Sequence, residues 1–325
     1  MTDPAREGSA LVIGEALVDV VRRPDGSVET YPGGSPANVA IGLGRLGRDV
    51  SLLTRFGRDA HGDMVRAHLE ESAVALVEGS ADAPRTSVAT ATLDGTGAAD
   101  YDFDLTWDIE AAAATGVAPD VVHTGSIAAV LAPGGDAVLR ILESMRERAT
   151  VTYDPNARPA LMGDASTALA AIERVVALAD VVKASDEDLA WLLTARAAPS
   201  PGTHTTQAER IEALARDWAA RGPALVVVTK GGDGATAYLN DGHHVSVEAP
   251  RVDVADTVGA GDSFMSGLID GLWEAGLLGS DHREELHHID DATIAGVLER
   301  CARIGAITVS RAGANPPTRA ELGEA

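Results

Sequence analysis

The residues best placed to do chemistry lie at 256–262 (DTVGAGD), a glycine-rich turn with an acid at each end. The apolar run that follows, 264–273, predicts a helix. A Gly-Ala-Gly turn leaves backbone N–H groups unobstructed, and a helix start adds unpaired N–H donors and the positive end of the helix dipole. Together they predict a cradle for an anion such as a phosphoryl group. The backbone positions of this cradle are Gly259, Ala260 and Gly261.

Asp262 follows the cradle directly and is placed to take a proton from a hydroxyl that attacks the phosphoryl group. Alone, an acid at a helix start is more often a cap, and Gly-x-Gly turns before helices are common. This string is more restrictive, because Asp256 precedes the turn as well. It also lies late in the chain, whereas a dinucleotide-binding Gly-x-Gly-x-x-Gly normally follows an early strand. The pattern favours phosphoryl transfer to an alcohol.

A second cluster, near the start of the chain, has the residue types that a polyol needs. Gly33 and Gly34 allow a ligand to approach the backbone closely. Asn38, at the start of a predicted helix, and Asp19 offer an amide and a carboxylate that could hold adjacent hydroxyls. Each alone would more often be a helix-start amide or a turn acid, so the prediction depends on the pair.

Three further clusters directly follow predicted strands. Residues 154–158 (DPNAR) place Asn156 and Arg158 where they could contact a ligand, although Asp-Pro followed by Asn also makes an ordinary turn. Residues 183–188 (KASDED) hold acids that could bind Mg²⁺ but also fit a helix cap. Residues 229–234 (TKGGDG) could cover a nucleotide or close a hairpin. Such clusters at the carboxyl ends of successive strands indicate one shared binding edge.

The elements that must position these clusters alternate between short β-branched runs and longer amphipathic ones. This alternation predicts βαβ units and an α/β fold with a mostly parallel sheet. Strands are predicted at 10–14, 50–54, 121–124, 150–153, 180–183 and 224–229. Helices are predicted at 36–46, 62–71, 134–148, 165–178, 208–220 and 291–310.

Two segments, 16–31 and 85–107, break the alternation with short strands and turns. They predict a small sheet that projects from the main domain, either as a lid over the binding edge or as a surface hairpin without that role. The stretch 197–206, rich in Pro, Gly, Ser and Thr, predicts a loop rather than a domain boundary.

Composition limits the partners. The 325 residues can form one large α/β domain or two smaller ones. A formal net charge of −23 makes nucleic acid and anionic membranes poor partners, and no apolar run is long enough to cross a bilayer. The polar start differs from a signal peptide, and the single cysteine, Cys301, excludes an intrachain disulfide framework. We expect a cytoplasmic protein, and magnesium-bound nucleotide fits its acidic character.

The motifs resemble, in order and spacing, those of the ribokinase-like (PfkB) carbohydrate kinases, over residues 11 to about 317. They are Gly33-Gly34-x-x-x-Asn38, 154–158, 183–188 and 256–262. The ending at 308–317 resembles that of fructokinases of this family. The resemblance implies a single domain over 1–325, with a three-layer α/β/α core and a β-sheet lid at about 16–32 and 85–107. It also implies transfer of the γ-phosphate of Mg·ATP to a sugar hydroxyl.

The resemblance implies roles for individual residues. Asp262 would be the general base, and the backbone of 259–262 would be the anion hole. Asp19, Gly33, Gly34, Asn38, Asn156 and Arg158 would lie at the sugar, and Lys183, Ser185, Lys230, Gly231, Gly234 and Asn315 at the nucleotide. Asp188 would belong to the magnesium segment, and Asp256 to a site for a monovalent cation such as K⁺. Ser185 and Asp188 replace the Asn and Glu common in the family, and Val258 replaces a frequent Thr.

The second lid segment suggests the charge of the substrate. It carries Asp94, Asp100, Asp102, Asp104 and Asp108 against the single Arg85. Acids there would disfavour a phosphorylated or carboxylated sugar, which needs basic partners. A neutral sugar is therefore expected, with fructose first because of the fructokinase-like motifs. Acids that face solvent instead of the site would carry no information on the substrate.

Alternatives within the family are a 2-keto-3-deoxygluconate kinase, a ribokinase, a nucleoside kinase and a non-catalytic sugar-binding relative. The intact Asp262 and its glycine turn favour an enzyme. A dehydrogenase would need Gly-x-Gly-x-x-Gly after the first strand, where the chain instead reads Glu15-Ala-Leu. By analogy with the lids of the family, a homodimer through the lid is possible.

Overall fold

A nine-stranded, mostly parallel sheet forms the centre of the protein in a computed structural model, which describes residues 8–94, 99–196 and 205–324. In chain order the strands are β1 (Ser9–Ile13), β2 (Leu17–Arg22), β3 (Val28–Gly33), β4 (Asp49–Leu53), β5 (Ala75–Leu76), β6 (Val88–Leu93), β7 (Ala99–Asp104), β8 (Val121–Gly125), β9 (Thr150–Asp154), β10 (Val181–Ser185), β11 (Leu225–Thr229), β12 (Ala235–Leu239) and β13 (His244–Val247). The large sheet has the order β13-β12-β11-β10-β9-β8-β1-β4-β5. All its pairings are parallel except those of β12 with β11 and β13.

Helices cover both faces of this sheet. They are α1 (Ser35–Arg45), α2 (Ala60–Glu71), α3 (Gly134–Met145), α4 (Pro159–Met162), α5 (Ala165–Val176), α6 (Asp186–Leu192), α7 (Gln207–Ala219), α8 (Ala260–Glu274), α9 (Arg283–His287) and α10 (Asp291–Val309). Helices α3, α5, α6 and α7 share one apolar core with the sheet, and α1, α2, α8 and α10 share a second one on the opposite face. Burial of these two cores fixes the three layers.

Several helices begin at capping residues that are visible in the sequence. Asp164 caps α5 by accepting from the backbone N–H groups of Ser166 and Thr167. Thr206 and Glu209 form a capping box at the start of α7. Pro36 occupies the first turn of α1, where its missing N–H costs no helical hydrogen bond. Helix α7 begins at Gln207. The part of the predicted loop at 197–204 lies outside the described residues.

The predicted α/β fold is confirmed, and each predicted strand and helix has a counterpart within a few residues. The sequence reasoning missed β12 and β13, which extend one edge of the sheet in antiparallel fashion. Residues 229–234 close the hairpin between β11 and β12, which was one of the two alternatives for that turn. None of the helices described here is long and apolar enough to span a membrane.

The two segments that break the alternation form a second sheet of four strands in the order β3-β2-β6-β7. One face of this small sheet carries Val18 and Val20, which are buried in the core shared with α2. The other face carries Asp19, Ala89 and Phe103, which pair across β2, β6 and β7. These three residues line a cavity at the start of α8, so the small sheet covers that cavity.

Candidate active site

The predicted cradle lies at the N-terminus of α8. Gly259 has φ 74° and is the residue before the helix. A Cβ at this position would lie 2.5 Å from the Cβ of Ala314, so a side chain would clash as well as strain the backbone. A Cβ at Gly261 would lie 2.9 Å from the Nζ of Lys183, whose side chain is buried. The turn therefore combines bare backbone with a nearby ammonium group, and both favour an anion.

Asp262, in the first turn of α8, is buried and is held by side chains from other elements. From α1, Ser35 Oγ donates to Oδ1 at 2.7 Å and Asn38 Nδ2 donates to Oδ2 at 2.8 Å. Asn156 Nδ2, in the loop after β9, lies 3.4 Å from Oδ1. These contacts fix the orientation of the carboxylate. The sequence analysis predicted Asn38 at the sugar but did not predict its hydrogen bond to Asp262. It also did not identify Ser35, although Ser35 and Asn38 belong to the same motif.

The first of two cavities at this edge, the polar cavity, has a volume of about 330 Å³. Its charged lining residues are Glu15, Asp19, Asp262 and Arg158, and Gly34, Asn38 and Asn156 lie on the same walls. The structure therefore brings together five of the six predicted sugar residues from three separate stretches of chain, and Gly33 is not among the residues that line the cavity. It adds Glu15, which the sequence analysis mentioned only as evidence against a dehydrogenase, although the residue lies two positions after the carboxyl end of the parallel strand β1.

Other parts of the protein lie so close to Gly33 and Gly34 that neither position has room for a side chain. A Cβ at Gly33 would lie 2.2 Å from Oδ2 of Asp19, so the glycine makes room for that carboxylate. Gly34 has φ 110°, and a Cβ there would lie 2.4 Å from the backbone oxygen of Glu15. Both glycines thus bring Asp19 and Glu15 to the wall of the polar cavity.

Two non-glycine residues of the polar cavity have positive φ angles, Ser126 at 53° and Asn156 at 35°. Such backbone costs free energy, and it is concentrated at ligand sites in proteins. Arg158 supports the loop of Asn156, because its Nη1 donates to the Asn156 Oδ1 at 2.8 Å and to the Ala157 backbone oxygen at 3.1 Å. The loop after β9 is therefore held in one shape.

Two acids of the polar cavity have raised pKa values. Burial raises the pKa of Glu15 to about 7, against the lowering effects of the Ser126 side chain and of Arg158. Loss of solvation also raises the pKa of Asp19, although its side chain is exposed in part, and Arg158 opposes this rise. Arg158 is thus the cation that moderates both acids.

The second, apolar cavity has a volume of about 570 Å³ and lies on the other side of the cradle. Its apolar lining includes Pro250, Val252, Val254, Phe264, Ala306 and Val309. Gly231 and Gly234, both predicted at a nucleotide, line it as well. Gly234 has φ 92°, and a Cβ there would lie 2.0 Å from the Val247 backbone oxygen, so this glycine is required by the hairpin.

Thr257 and Gly261 line both cavities. A molecule in the apolar cavity and one in the polar cavity would therefore meet at the cradle, with Asp262 on the polar side. This arrangement fits a group that passes across the cradle from one bound molecule to the other.

A buried ion pair lies close to the cradle. Lys183 Nζ donates to Oδ2 of Asp154 at 2.8 Å, and both side chains are almost fully buried. Burial alone would lower the pKa of Lys183, but the charges of Asp154 and Asp188 outweigh it and raise the pKa. The lysine is therefore charged, and its buried side chain lies beside the cradle and is not part of the lining of the apolar cavity. Its role at the nucleotide stays a prediction.

Ser185 and Asp188 form a capping box at the start of α6, which was the alternative to a magnesium segment. Asp188 Oδ2 accepts from the Ser185 backbone N–H at 2.8 Å, and Oδ1 accepts from the Ala157 backbone N–H at 2.7 Å. In the described part of the chain, no group of three or more His, Cys, Asp or Glu residues is placed to hold a metal ion. A role of Asp188 at magnesium stays a prediction.

The remaining predicted residues contact other parts of the protein. Lys230 Nζ donates to Thr236 Oγ1 at 3.0 Å, and Asn315 Oδ1 accepts from Arg45 Nη1 at 2.5 Å. Asp256 Oδ2 accepts from the Gly313 backbone N–H at 2.9 Å. Asp256 therefore joins the turn before α8 to the segment after α10.

The acids of the second lid segment do not face the polar cavity. Asp100, Asp102 and Asp104 alternate with Phe103, which lines the cavity, so their side chains lie on the opposite face of the small sheet. Asp104 pairs with Arg85, and Asp108 pairs with Arg55. For Asp100, Asp102 and Asp104 the structure therefore supports the alternative in which lid acids that face away from the site carry no information on the charge of the substrate.

Comparison with known proteins gives a family and a set of relatives. Residues 8–321 match the profile of the pfkB family carbohydrate kinases. The chain is 34% identical to a fructokinase of Rhizobium leguminosarum bv. trifolii, covering 81% of this chain and 79% of that protein. It is 32% identical to a fructokinase of Escherichia coli, covering 91% and 94%.

A solved structure shares the fold over nearly the whole chain. A double mutant of the fructokinase from Vibrio cholerae O395, in a form bound to fructose, ADP and potassium ion, superposes with a TM-score of 0.78. The identity is 26%, and the match covers 98% of this chain and 97% of the other.

Proposed function

The chain belongs to the pfkB family of carbohydrate kinases, and we propose that its substrate is fructose and its phosphoryl donor ATP. The observation that carries the proposal is the meeting of the two cavities at the cradle, with Asp262 on the polar side. The names of the relatives and the ligands of the Vibrio structure support the choice of fructose and of an adenine nucleotide.

In the proposed reaction the sugar lies in the polar cavity and ATP in the apolar one. Asp262 takes the proton of a sugar hydroxyl as its oxygen attacks the γ-phosphorus. The bond from that phosphorus to the bridging oxygen breaks, and ADP leaves. The N–H groups of Gly259 and Gly261 stabilise the charge on the phosphoryl oxygens, and Lys183 adds positive potential nearby. The N–H of Ala260, the third predicted cradle position, donates to the Thr257 backbone oxygen at 3.3 Å.

The polar cavity supports a neutral sugar for a reason other than the one predicted. Three acids, Glu15, Asp19 and Asp262, line it against the single Arg158. A phosphate or carboxylate on the sugar would therefore meet excess negative charge. Asp19, Asn38, Asn156 and Arg158 supply acceptors and donors for hydroxyls. The lack of a side chain at Gly33 and Gly34 leaves room for the Asp19 carboxylate and for the Glu15 backbone.

The proposal includes two ions, magnesium bound with the nucleotide and a monovalent cation near Asp256. Magnesium would be held chiefly by the ATP phosphates, since the described residues offer no dense acid cluster for it. Magnesium neutralises phosphate charge when bound, which suits a chain with a net charge of −23. A monovalent cation such as K⁺ would lie near Asp256, where two loops meet beside the cradle.

We also propose that the small sheet acts as a lid and as a dimer surface. Its cavity-facing side continues beyond Phe103 to Tyr101, whose ring stacks on it at 5.9 Å, and to Tyr31. Both tyrosines are exposed, which suits contact with the lid of a second copy. Sedimentation velocity of the wild type and of Tyr101→Glu tests this proposal: the wild type should sediment as a dimer and the variant as a monomer.

The kinase assignment is tested by ADP release with Mg·ATP and K⁺ against fructose, ribose, 2-keto-3-deoxygluconate, fructose 6-phosphate and adenosine. We expect turnover with fructose and little with the charged sugars. A preference for ribose or adenosine would replace fructose but keep the kinase. Binding of a sugar without any ADP release would support a non-catalytic relative instead.

A further inference from the structure

Glu15 is a buried acid that the proposed reaction does not yet use. It lies two residues after the end of β1, on the wall of the polar cavity, and is only 7% exposed. Its backbone packs against Gly34, where a Cβ would lie 2.4 Å from the Glu15 oxygen. The position of Glu15 is therefore fixed by the same motif that places Asn38 beside Asp262.

The side chain of Glu15 differs from that of Asp262 in how its oxygens are used. Both oxygens of Asp262 accept hydrogen bonds from α1. The Ser126 side chain is a hydrogen-bond partner of the Glu15 carboxyl, but Oε2 is buried and has no hydrogen-bond partner among the described residues, so one oxygen of the acid stays unpaired. A buried acceptor without a donor costs free energy, so the site is stabilised by any ligand that supplies the donor.

We propose that Glu15 binds the sugar directly, with Oε2 accepting a hydrogen bond from a hydroxyl of a neutral polyol. This inference rests on the proposed sugar kinase function and deepens it. The hydroxyl supplies the missing donor, and a sugar that lacks it leaves the acid unpaired. Glu15 is in this way a specificity-determining residue beside Asp19 and Asp262.

The charge of Glu15 provides a second test of the proposal, which is the pH dependence of sugar affinity. Burial raises its pKa to about 7, and the groups facing it are Arg158 from the loop after β9, Asp262 from α8 and Asp19 from the small sheet. The ionised acid is the stronger acceptor. The affinity for the sugar should therefore rise as pH increases through about 7.

The experiment compares the wild type with Glu15→Gln, which keeps the size of the side chain and removes the charge. We expect the KM for fructose to rise about tenfold or more, the usual loss for one hydrogen bond to a charged group. The kcat and the KM for ATP should change by less than about threefold, because Glu15 touches neither the cradle nor the apolar cavity. Glu15→Asp should recover part of the pH dependence.

A matched control is Glu78→Gln, since Glu78 lies in neither cavity. Calorimetric titration with fructose runs beside the kinetics, so that binding is measured without turnover, and circular dichroism confirms folding. An unchanged fructose affinity and pH profile in Glu15→Gln would overturn the inference. A wild type that binds fructose without turnover would overturn the kinase proposal instead, while weaker binding by Glu15→Gln would still support the role of Glu15.

Discussion

The polar and apolar cavities share Thr257 and Gly261 but are otherwise opposite in chemistry. The polar cavity presents three acids, an arginine and two amides, and several of them are bonded to one another. The apolar cavity presents mainly small and β-branched apolar side chains from α10 and from 249–254. One site can therefore select by hydrogen bonds and charge, and the other chiefly by shape.

This contrast indicates in which cavity a single substitution should have the larger effect on binding and catalysis. Removing one member of a bonded polar set leaves its partners unpaired in a buried place, which is expensive. Changing one wall of an apolar cavity alters volume and contact, and such effects are graded.

Asp262→Ala should abolish most catalysis while sparing the apolar cavity. Loss of a general base lowers kcat by roughly 10² to 10⁴, and we expect the KM for ATP to stay within about threefold because the acid faces the polar side. Steady-state kinetics with fructose measures both. Asp281→Ala, at an exposed acid, is the control. Near-full turnover in Asp262→Ala would remove Asp262 from the role of base.

Ala306→Leu should act on the apolar cavity alone. Ala306 lies on α10 and lines that cavity, so three added carbons should fill space that a nucleotide needs. Overpacking of this kind costs about 1–3 kcal/mol, which corresponds to a rise in the KM for ATP of roughly tenfold. Fructose affinity, measured by calorimetry, should not change. Ala292→Leu, at an exposed position of α10, controls for the added side chain.

Glu15→Gln should stabilise the ligand-free protein at high pH. Burial raises the pKa of Glu15 from 4.5 to about 7, so between these values the folded state keeps a proton that the unfolded chain releases. The free energy of unfolding of the wild type therefore falls as pH rises from 4.5 to about 7. Thermal melts should show the variant a few degrees more stable at about pH 8 and nearly equal to the wild type toward pH 5. An equal difference in melting temperature between the variant and the wild type at both pH values would contradict the raised pKa of Glu15.

Asp102→Asn should change almost nothing. The side chain lies on the face of the small sheet that points away from the polar cavity. We expect the kcat/KM ratio between fructose and fructose 6-phosphate to stay within about twofold, since a screened surface charge contributes little. A clear gain in activity on fructose 6-phosphate would show that lid acids do control substrate charge.

The sequence alone was sufficient for the α/β fold and for placing the glycine-rich turn and Asp262 at the start of a helix, whereas their catalytic roles stay predictions. The fold and these placements depend on local properties: glycines that permit a bare turn, a helix that must begin with free N–H groups, and apolar runs whose periods differ between strand and helix. The small sheet was also predictable, since its short strands broke the alternation of the rest.

The contacts that complete the site could not be predicted from local pattern. Ser35 and Asp262 are 227 positions apart, and Glu15 becomes a site residue only because Gly34 packs on its backbone. The capping box of Ser185 and Asp188 looked equally like a metal segment, because the same residue types serve both. For the lid acids, alternation along the strand is visible in the sequence, but packing decides which face covers the cavity. The sequence therefore determined which groups are available, and the tertiary structure decided which of them meet, since burial and long-range contact depend on the whole fold.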